Sequence, residues 1–486
     1  MQSDLPLLNQ LKKLAQNPDI PFYAPGHKRG KGISKYLVNL LGKKVFKTDL
    51  PELPELDNLF APESVIKEAQ NLASQTFGAD QTWFLVNGST CGIIASILAI
   101  CNPNDKIILP RNCHQSAISG LILSGVIPIF INPEYNSEYD IAYNITPEAV
   151  KIALETHPDA KAVFMVSPTY QGICGDIQAI ADITHKHQIP LIVDEAHSPH
   201  FCFHQDLPPS GLSLGADLVI QSTHKILGAM TQASMLHLKG NRVDPSRISK
   251  ALQLVQTTSP SYLLLASLDG AREQMATEGK KLMEKTLNIA NYARKELKKN
   301  PNITILENNN LPKKGFQYLD LTRLTIFTHK LKMTGFELDD ILREKYHITA
   351  ELPMLNHLTF MITLGNKITD IESLIKAFRE IKPLTNNNFQ LLNLPEVKPS
   401  SLLKISPREA YFANTETLPI EQSIGKISAE LICPYPPGIP LLIPGEMILQ
   451  ETIDYLQKVI KFGGIITGAS DSSLKTIKII QNLIYN

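Results

Sequence analysis

Leu191-Ile-Val-Asp-Glu-Ala-His197 opens with an apolar run and ends on two acids and a histidine. A short run of this kind reads as a strand buried on both faces, with the acids at its C-terminal end. Similar runs recur at Thr82–Val86, Lys106–Leu109, Ile127–Ile131, Ala162–Val166 and Leu218–Gln221. Helix-like segments, Gly92–Cys101, Ser116–Ser124 and Asp176–Gln188, lie between most of them. Strands spaced by helices predict an α/β fold with a doubly wound, mainly parallel sheet. Prolines 51 and 54 predict an extended arm, and Pro62 to Phe77 reads as a helix closed by Gly78. A long helix is expected from about Ser261 to Lys299, because no proline follows Pro260 there. Beyond it, Leu324–Thr328 and Leu358–Leu364 read as strands of a smaller α+β unit. The expected organisation is an arm (1–60), a large domain (61–300), a small α+β domain (301–383), a linker (384–400) and a C-terminal α+β domain (401–486).

Composition narrows the function. The 486 residues carry 47 Lys+Arg against 47 Asp+Glu, a formal charge of zero. Bulk nucleic-acid binding relies on a basic surface, so no nucleic-acid partner is expected. No apolar run approaches the ~18 residues that span a bilayer, so no membrane partner is expected either. The start, Met1-Gln-Ser-Asp4, lacks a basic segment followed by an apolar one, and no secretory signal is read there. The 6 cysteines are scattered without a framework. Free thiols in a cytoplasmic globular protein are the expectation.

Three short segments carry the chemistry. Asn87-Gly-Ser-Thr-Cys-Gly92 joins a strand to a helix. Backbone N–H groups at such a helix start suit a phosphate, with Ser89 and Thr90 adding hydroxyls. The same residue types also make an ordinary N-cap. Asp194 stands where open α/β sheets bind ligands. An acid there can pair with a cationic ring nitrogen, coordinate a metal or cap a turn. Gln221-Ser-Thr-His-Lys225 begins at another strand end and holds a lysine suited to imine formation. A phosphate anchor, a partner for a protonated pyridine and an imine-forming amine are what pyridoxal 5'-phosphate requires of a protein. His114, in Arg111-Asn-Cys-His114, can stack on a flat ring or serve as a structural histidine. A competing metal reading takes His197, His200 and His204 with Asp194, although Pro199 breaks any helix that would align them.

Taken together these segments resemble the Orn/Lys/Arg decarboxylase family, in its short form without the receiver-like N-terminal wing. The resemblance extends to Tyr23-Ala-Pro-Gly-His-Lys28, Ser167-Pro-Thr-Tyr-Gln-Gly172, Thr257-Thr-Ser-Pro-Ser-Tyr262, Pro434-Tyr-Pro-Pro-Gly-Ile-Pro440 and Pro444-Gly-Glu446. It implies the fold type I of pyridoxal-phosphate enzymes and decarboxylation of a basic amino acid, arginine or lysine before ornithine, to CO2 and an amine. An aminotransferase or lyase on the same fold is the alternative. Carried over by motif, Lys225 forms the imine, while Ser89, Thr90, Ser222 and His224 hold the phosphate. Asp194 pairs with the pyridine nitrogen, His114 and Ala196 pack on the two ring faces, and His197 lies at the ring hydroxyl. The resemblance also implies a homodimer or larger homo-oligomer with shared sites, Thr257 reaching the neighbouring subunit's phosphate. Cys91 stands where relatives often have Ser or Thr, which implies a backbone contact at that position. A basic substrate side chain needs a carboxylate, because a buried unpaired cation is costly. Glu446 and the arm acids Asp49, Glu52 and Glu55 are the candidates.

Overall fold

Leu7, Leu11 and Leu14 recur at helical spacing and are all buried. With Pro6 in the first turn they form α1 (Pro6–Gln16), so the arm is more helical than its prolines suggest. Two further short helices, Lys35–Leu41 and Lys43–Thr48, follow in the arm. The computed structural model describes residues 1–17, 19–137, 139–308, 313–385, 402–435 and 438–481. Most of the expected linker, 386–400, and Pro436-Pro437 of the C-terminal motif lie outside the described residues.

The central elements follow in chain order. They are β1 (Gln81–Leu85), α2 (Gly88–Ile100), β2 (Lys106–Pro110), α3 (Gln115–Ser124), β3 (Ile127–Ile131), β4 (Ala160–Val166) and α4 (Ile177–Lys186). Then come β5 (Leu191–Asp194), β6 (Leu218–Gln221), β7 (Ser234–Leu238) and the 36-residue α5 (Tyr262–Leu297). The residues gather into two compact units, Met1–Ala99 with Ile192–Met283 and Ile100–Leu191 with Glu284–Asn486. This division cuts across the expected 61–300 domain, because the chain leaves the first unit after α2 and returns to it in β5.

In the first unit the strand order is β1-β7-β6-β5. β5 and β6 are parallel, with Asp194 opposite Ile220, while β7 is antiparallel to both of its neighbours. β7 was not read from the sequence, because His237 interrupts its apolar run. α2 lies against the sheet at a glycine. A Cβ at Gly92 would stand 2.7 Å from Leu85 Cδ1 and 3.0 Å from Ile220 Cγ2, closer than packed atoms approach. α1 is held by charge as well as by its leucines. Asp269 Oδ2 accepts from Leu7 N and Leu8 N at 3.1 and 3.2 Å. Arg272 donates to Gln2 O, Asp4 O and Asp269 Oδ1. Asp269 and Arg272 are both fully buried, and removing one partner of such a pair costs about 3–5 kcal/mol.

The second unit contains the parallel strands β4-β2-β3, with Lys106 opposite Ile127. Beyond α5 it includes β8 (Arg323–Phe327), α6 (Gly335–Tyr346), β9 (His357–Met361) and α7 (Ile368–Glu380). β8 and β9 are antiparallel, and Leu324, Ile326, Leu358 and Phe378 share one core with Ile289 and Leu297. Towards the C-terminus, β10 (Thr415–Pro419) and β11 (Thr476–Ile480) pair antiparallel beside α8 (Gln450–Lys461). Leu456, Ile466 and Ile477 belong to a separate core there.

A polar chain crosses the first unit's strands. The Thr82 hydroxyl lies 2.8 Å from His237 Nδ1, and His237 Nε2 lies 3.2 Å from Gln221 Oε1. Gln221 Nε2 donates to Glu195 Oε2 at 2.8 Å, and Glu195 Oε1 accepts from Gly211 N. All four side chains are buried. The Gln221 carbonyl can only accept, so His237 carries its proton on Nε2 and takes the Thr82 hydroxyl on Nδ1. Burial lowers the His237 pKa from 6.5 to about 3. Between those values the unfolded chain binds a proton that the folded chain refuses. His237 therefore contributes full stability above pH 6.5, lost progressively as pH falls towards 3. Urea unfolding across this window is expected to show a shallower fall in stability with acid for His237→Gln, by one proton on unfolding. An unchanged slope would mean that His237 is charged in the fold.

Candidate active site

The site grows from three chain reversals of the first unit. At the end of β1, Val86 N donates to Gln256 Oε1 at 2.9 Å, and Gly88 turns the chain with φ +74° into α2. The first N–H groups of a helix have no acceptor within it, so this end favours an anion. Ser222 Oγ donates to Ser89 Oγ at 2.8 Å, which ties the loop after β6 to the start of α2. Ser89 is half-buried and Thr90 exposed. Cys91 is buried, with its thiol on Gly88 O at 3.0 Å. Thr257 N donates to Asn87 Oδ1 at 3.2 Å, and the Thr257 hydroxyl accepts from Ser259 N at 3.1 Å. Thr257 is thus held against its own chain's phosphate-type loop and caps a local turn.

Asp194 ends β5 with 4% exposure, and its Oδ1 accepts from Ala196 N at 3.0 Å. Burial raises its pKa, while the Ala196 N–H and the nearby Lys225 charge draw it back down. The next acid is handled differently. Glu195 is fully buried on Gln221 and Gly211, and its pKa rises to about 7, through burial first and the Asp194 charge after it. Glu195 N also donates to Ile220 O at 2.9 Å, and Ser198 N donates to Glu195 O at 3.0 Å. These bonds fix the turn that carries Asp194, Ala196 and His197.

After β6 comes a single helical turn, Thr223–Ile226, with Ser222 at its N-cap. It directs Lys225 Nζ to His197 Nε2 at 2.9 Å. His224 Nδ1 lies 2.9 Å from Ala233 O, a carbonyl that can only accept, so Nδ1 carries the proton. Burial lowers the His224 pKa, the Ala233 contact raises it and Lys225 lowers it again. His224 is therefore a neutral ring at neutral pH, and a phosphate beside Nε2 would raise its pKa. The buried Thr223 hydroxyl has no partner among the described residues.

These residues fit pyridoxal phosphate on their own chemistry. Asp194 is a buried carboxylate whose raised pKa marks a shortage of positive charge, which a protonated ring nitrogen would supply. Lys225 offers an amine beside it, and the Ser89–Ser222 hydroxyl pair lies at a helix start suited to the phosphate. Ser89, Asp194, Ala196, His197, Ser222, His224 and Lys225 thus fall within one unit, at the ends of adjacent elements.

The carboxylates named for the substrate have partners within the fold, Glu446 above all. Its carboxylate is 1% exposed and accepts from Arg111 Nε at 3.0 Å, Arg111 Nη2 at 2.8 Å and Ile443 N at 3.0 Å. A buried acid with a guanidinium of its own is a structural ion pair, not an open receptor for a second cation. In the arm, Asp49 Oδ2 lies 3.0 Å from His27 Nε2, and Glu52 accepts from Asn58 Nδ2 and Leu59 N at 2.8 and 2.9 Å. In the second unit, His114 caps α3, its Nδ1 accepting from Ser116 N at 3.2 Å. The metal reading finds no cluster: among the described residues no three His, Cys, Asp or Glu side chains are gathered to hold an ion. His197 faces Lys225, and His204 lies 3.9 Å from Asp206. The roles of Glu195, Gln221, Asn87 and Arg111 were not read from the sequence. Arg111 had a signal, since it opens the quoted Arg-Asn-Cys-His segment.

Among the described residues no helix is long and apolar enough to cross a membrane. The chain is similar in fold to the lysine decarboxylase LdcF of Francisella novicida, with TM-score 0.83 and 24% identity over 99% of this chain and 82% of that one. It is 40% identical to an arginine decarboxylase of Bacillus subtilis, covering 99% of this chain and 98% of the relative. An arginine decarboxylase of Bacillus anthracis is 36% identical over the same shares, 99% and 98%. Residues 5–370 match the family described as Orn/Lys/Arg decarboxylase, major domain, and residues 384–469 match its C-terminal domain. With both family domains present in order and full-length relatives at this identity, the chain belongs to the Orn/Lys/Arg decarboxylase family.

Proposed function

We propose that the protein decarboxylates arginine with pyridoxal 5'-phosphate carried on Lys225. The observation that carries this reading is the 2.9 Å contact of Lys225 Nζ with His197 Nε2 beside the buried Asp194. Enzymes of this family work with pyridoxal phosphate. Bound here, that group supplies a protonated pyridine that accepts the electron pair left when the Cα–carboxylate bond breaks. Asp194 holds the proton on the ring nitrogen by charge pairing. The contact with His197 Nε2 orients the Lys225 amine, the nucleophile of the site. Ser89, Thr90, Ser222 and the start of α2 hold the phosphate. By the family resemblance His114 packs on the ring, and either it or Lys225 returns a proton to Cα.

Arginine is favoured over lysine because the relatives that match almost end to end at 40% and 36% are arginine decarboxylases. The similar solved lysine decarboxylase supports the fold alone at 24% identity. Purified protein loaded with cofactor and given arginine, lysine or ornithine separately is expected to release CO2 with agmatine from arginine. Faster amine production from lysine or ornithine would overturn the substrate, and no CO2 from any of them would overturn the activity. Lys225→Ala is expected to lose both turnover and the visible imine absorbance.

Asp194→Asn is expected to bind cofactor more weakly and to turn over about a hundredfold more slowly, because a neutral amide cannot hold the pyridinium charge. Near-normal turnover with cofactor bound would give Asp194 another role.

We further propose that the active unit is a homodimer with a site shared through Thr257. The arm exposes Phe22 at 92%, Tyr36 at 88% and Leu40 at 77%, apolar surface that a second copy would cover. Lys225→Ala chains mixed with Thr257→Val chains under subunit exchange are expected to regain one tight, active site per mixed dimer. Activity no higher than in the unmixed parents, with exchange confirmed, would leave Thr257 as a local cap.

A further inference from the structure

The segment after β2 is gripped by the C-terminal module at several points. Arg111 reaches across to this module with its whole guanidinium. Nε and Nη2 pair with the two oxygens of Glu446, Nη1 donates to Pro440 O at 2.7 Å, and Nη2 donates to Leu441 O at 3.1 Å. Glu446 Oε2 also accepts from Ile443 N at 3.0 Å, which folds the Pro440–Glu446 loop around the pair. Four residues after Arg111, the first turn of α3 meets the same loop, where Gln115 N donates to Gly438 O at 3.1 Å. Gly438, with φ +77°, lies beside one edge of the imidazole: a Cβ there would stand 3.3 Å from His114 Nε2 and 3.5 Å from Cδ2. At the far end of α3, Arg408 Nη1 donates to Ile122 O and Leu123 O at 2.8 and 2.9 Å. The C-terminal module therefore holds α3 at both ends, and His114 is the residue at its start.

The ring is fixed in protonation pattern as well as in place. Nδ1 accepts from Ser116 N, so its lone pair is committed and the neutral ring carries its proton on Nε2, the edge beside Gly438. A side chain at position 438 would occupy the space along that edge, and a non-glycine residue would also be strained at this φ.

We propose that Arg111, Glu446 and Gly438 are positioning residues for His114, so that the C-terminal module sets the orientation of that ring. This inference rests on the reading of His114 as part of the decarboxylation site. Glu446, whose carboxylate invites assignment to the substrate, would act through Arg111 and His114 instead. Glu446→Gln leaves Arg111 buried without a counter-charge and slackens the loop, whereas the aliphatic core of the module is untouched.

The test compares Glu446→Gln, Gly438→Ala, His114→Ala, the double variant Glu446→Gln/His114→Ala and, as a control for stability alone, Ile477→Ala in the C-terminal core. The cofactor-loaded enzyme is treated with diethyl pyrocarbonate, and carbethoxylation of His114 is followed by peptide mass spectrometry. Glu446→Gln and Gly438→Ala are expected to label His114 several times faster than the unmodified enzyme does. Their kcat should fall by about tenfold with KM little changed, the pattern of a displaced group that acts in the chemical step. The double variant should be no slower than His114→Ala alone, because both changes remove the same contribution. Ile477→Ala should lower the melting temperature without altering His114 labelling. Unchanged labelling in Glu446→Gln, or losses that add in the double variant, would overturn the proposal. If His114→Ala keeps full activity while Glu446→Gln still unmasks the ring, the clamp stands and the part given to His114 in the reaction falls.

Discussion

Asp194 lies at the end of β5 inside the protein, with the Ala196 N–H as its hydrogen-bond donor and Lys225 as the nearby cation. A buried carboxylate so placed resists ionisation, and the surrounding structure has to prevent its escape to water. The means are visible on the following residue. Glu195 turns into a buried polar chain formed by Gln221, His237 and Thr82, each from a different strand. That chain locks the turn, which places His197 opposite Lys225 and leaves Asp194 short of a full counter-ion. The site is a consequence of adjacent acids given unequal partners.

The same accounting of partners separates the carboxylates of this protein. Glu446 has a guanidinium and a backbone N–H, Asp269 has Arg272 and the start of α1, and Glu52 has an amide and a backbone N–H. Each therefore has its charge balanced or solvated within the fold. Burial raises the pKa of Asp194, and it is the acid proposed to meet a ligand charge. Charge alone did not distinguish these residues. Some of the partners came from segments far away in sequence, as Arg111 did for Glu446 and the start of α1 for Asp269.

Much of the fold was legible from apolar runs. β3 and β6 coincide with the expected strands, and β5 extends one residue further, to Asp194. The long helix begins at Tyr262, just after Pro260 and close to the expected Ser261. β7 escaped because His237 serves the buried polar chain, and a histidine within a short run breaks the pattern of a core strand. The arm misled for the opposite reason. Its prolines at 51 and 54 spoke for extended chain, whereas Leu7, Leu11 and Leu14 form a buried helical stripe well before them. At the site, Lys225, Asp194 and Ser89 were legible as residue types at strand ends and a helix start. The Arg111–Glu446 pair was not, because no local pattern announces that residues 335 positions apart will share a buried bond.

The attachment of α1 also sets an order of events during synthesis. Leu7 emerges first, but its acceptor on Asp269 follows 262 residues later. At a translation rate of about 5–20 residues per second, that interval is roughly 13 to 50 s. The Leu7–Leu11–Leu14 stripe meets its dock much sooner, because α1 packs against the helices Lys43–Thr48 and Val65–Phe77. The first helix to leave the ribosome thus packs early on the arm, while the two N–H groups at its start wait for Asp269 and are anchored among the last.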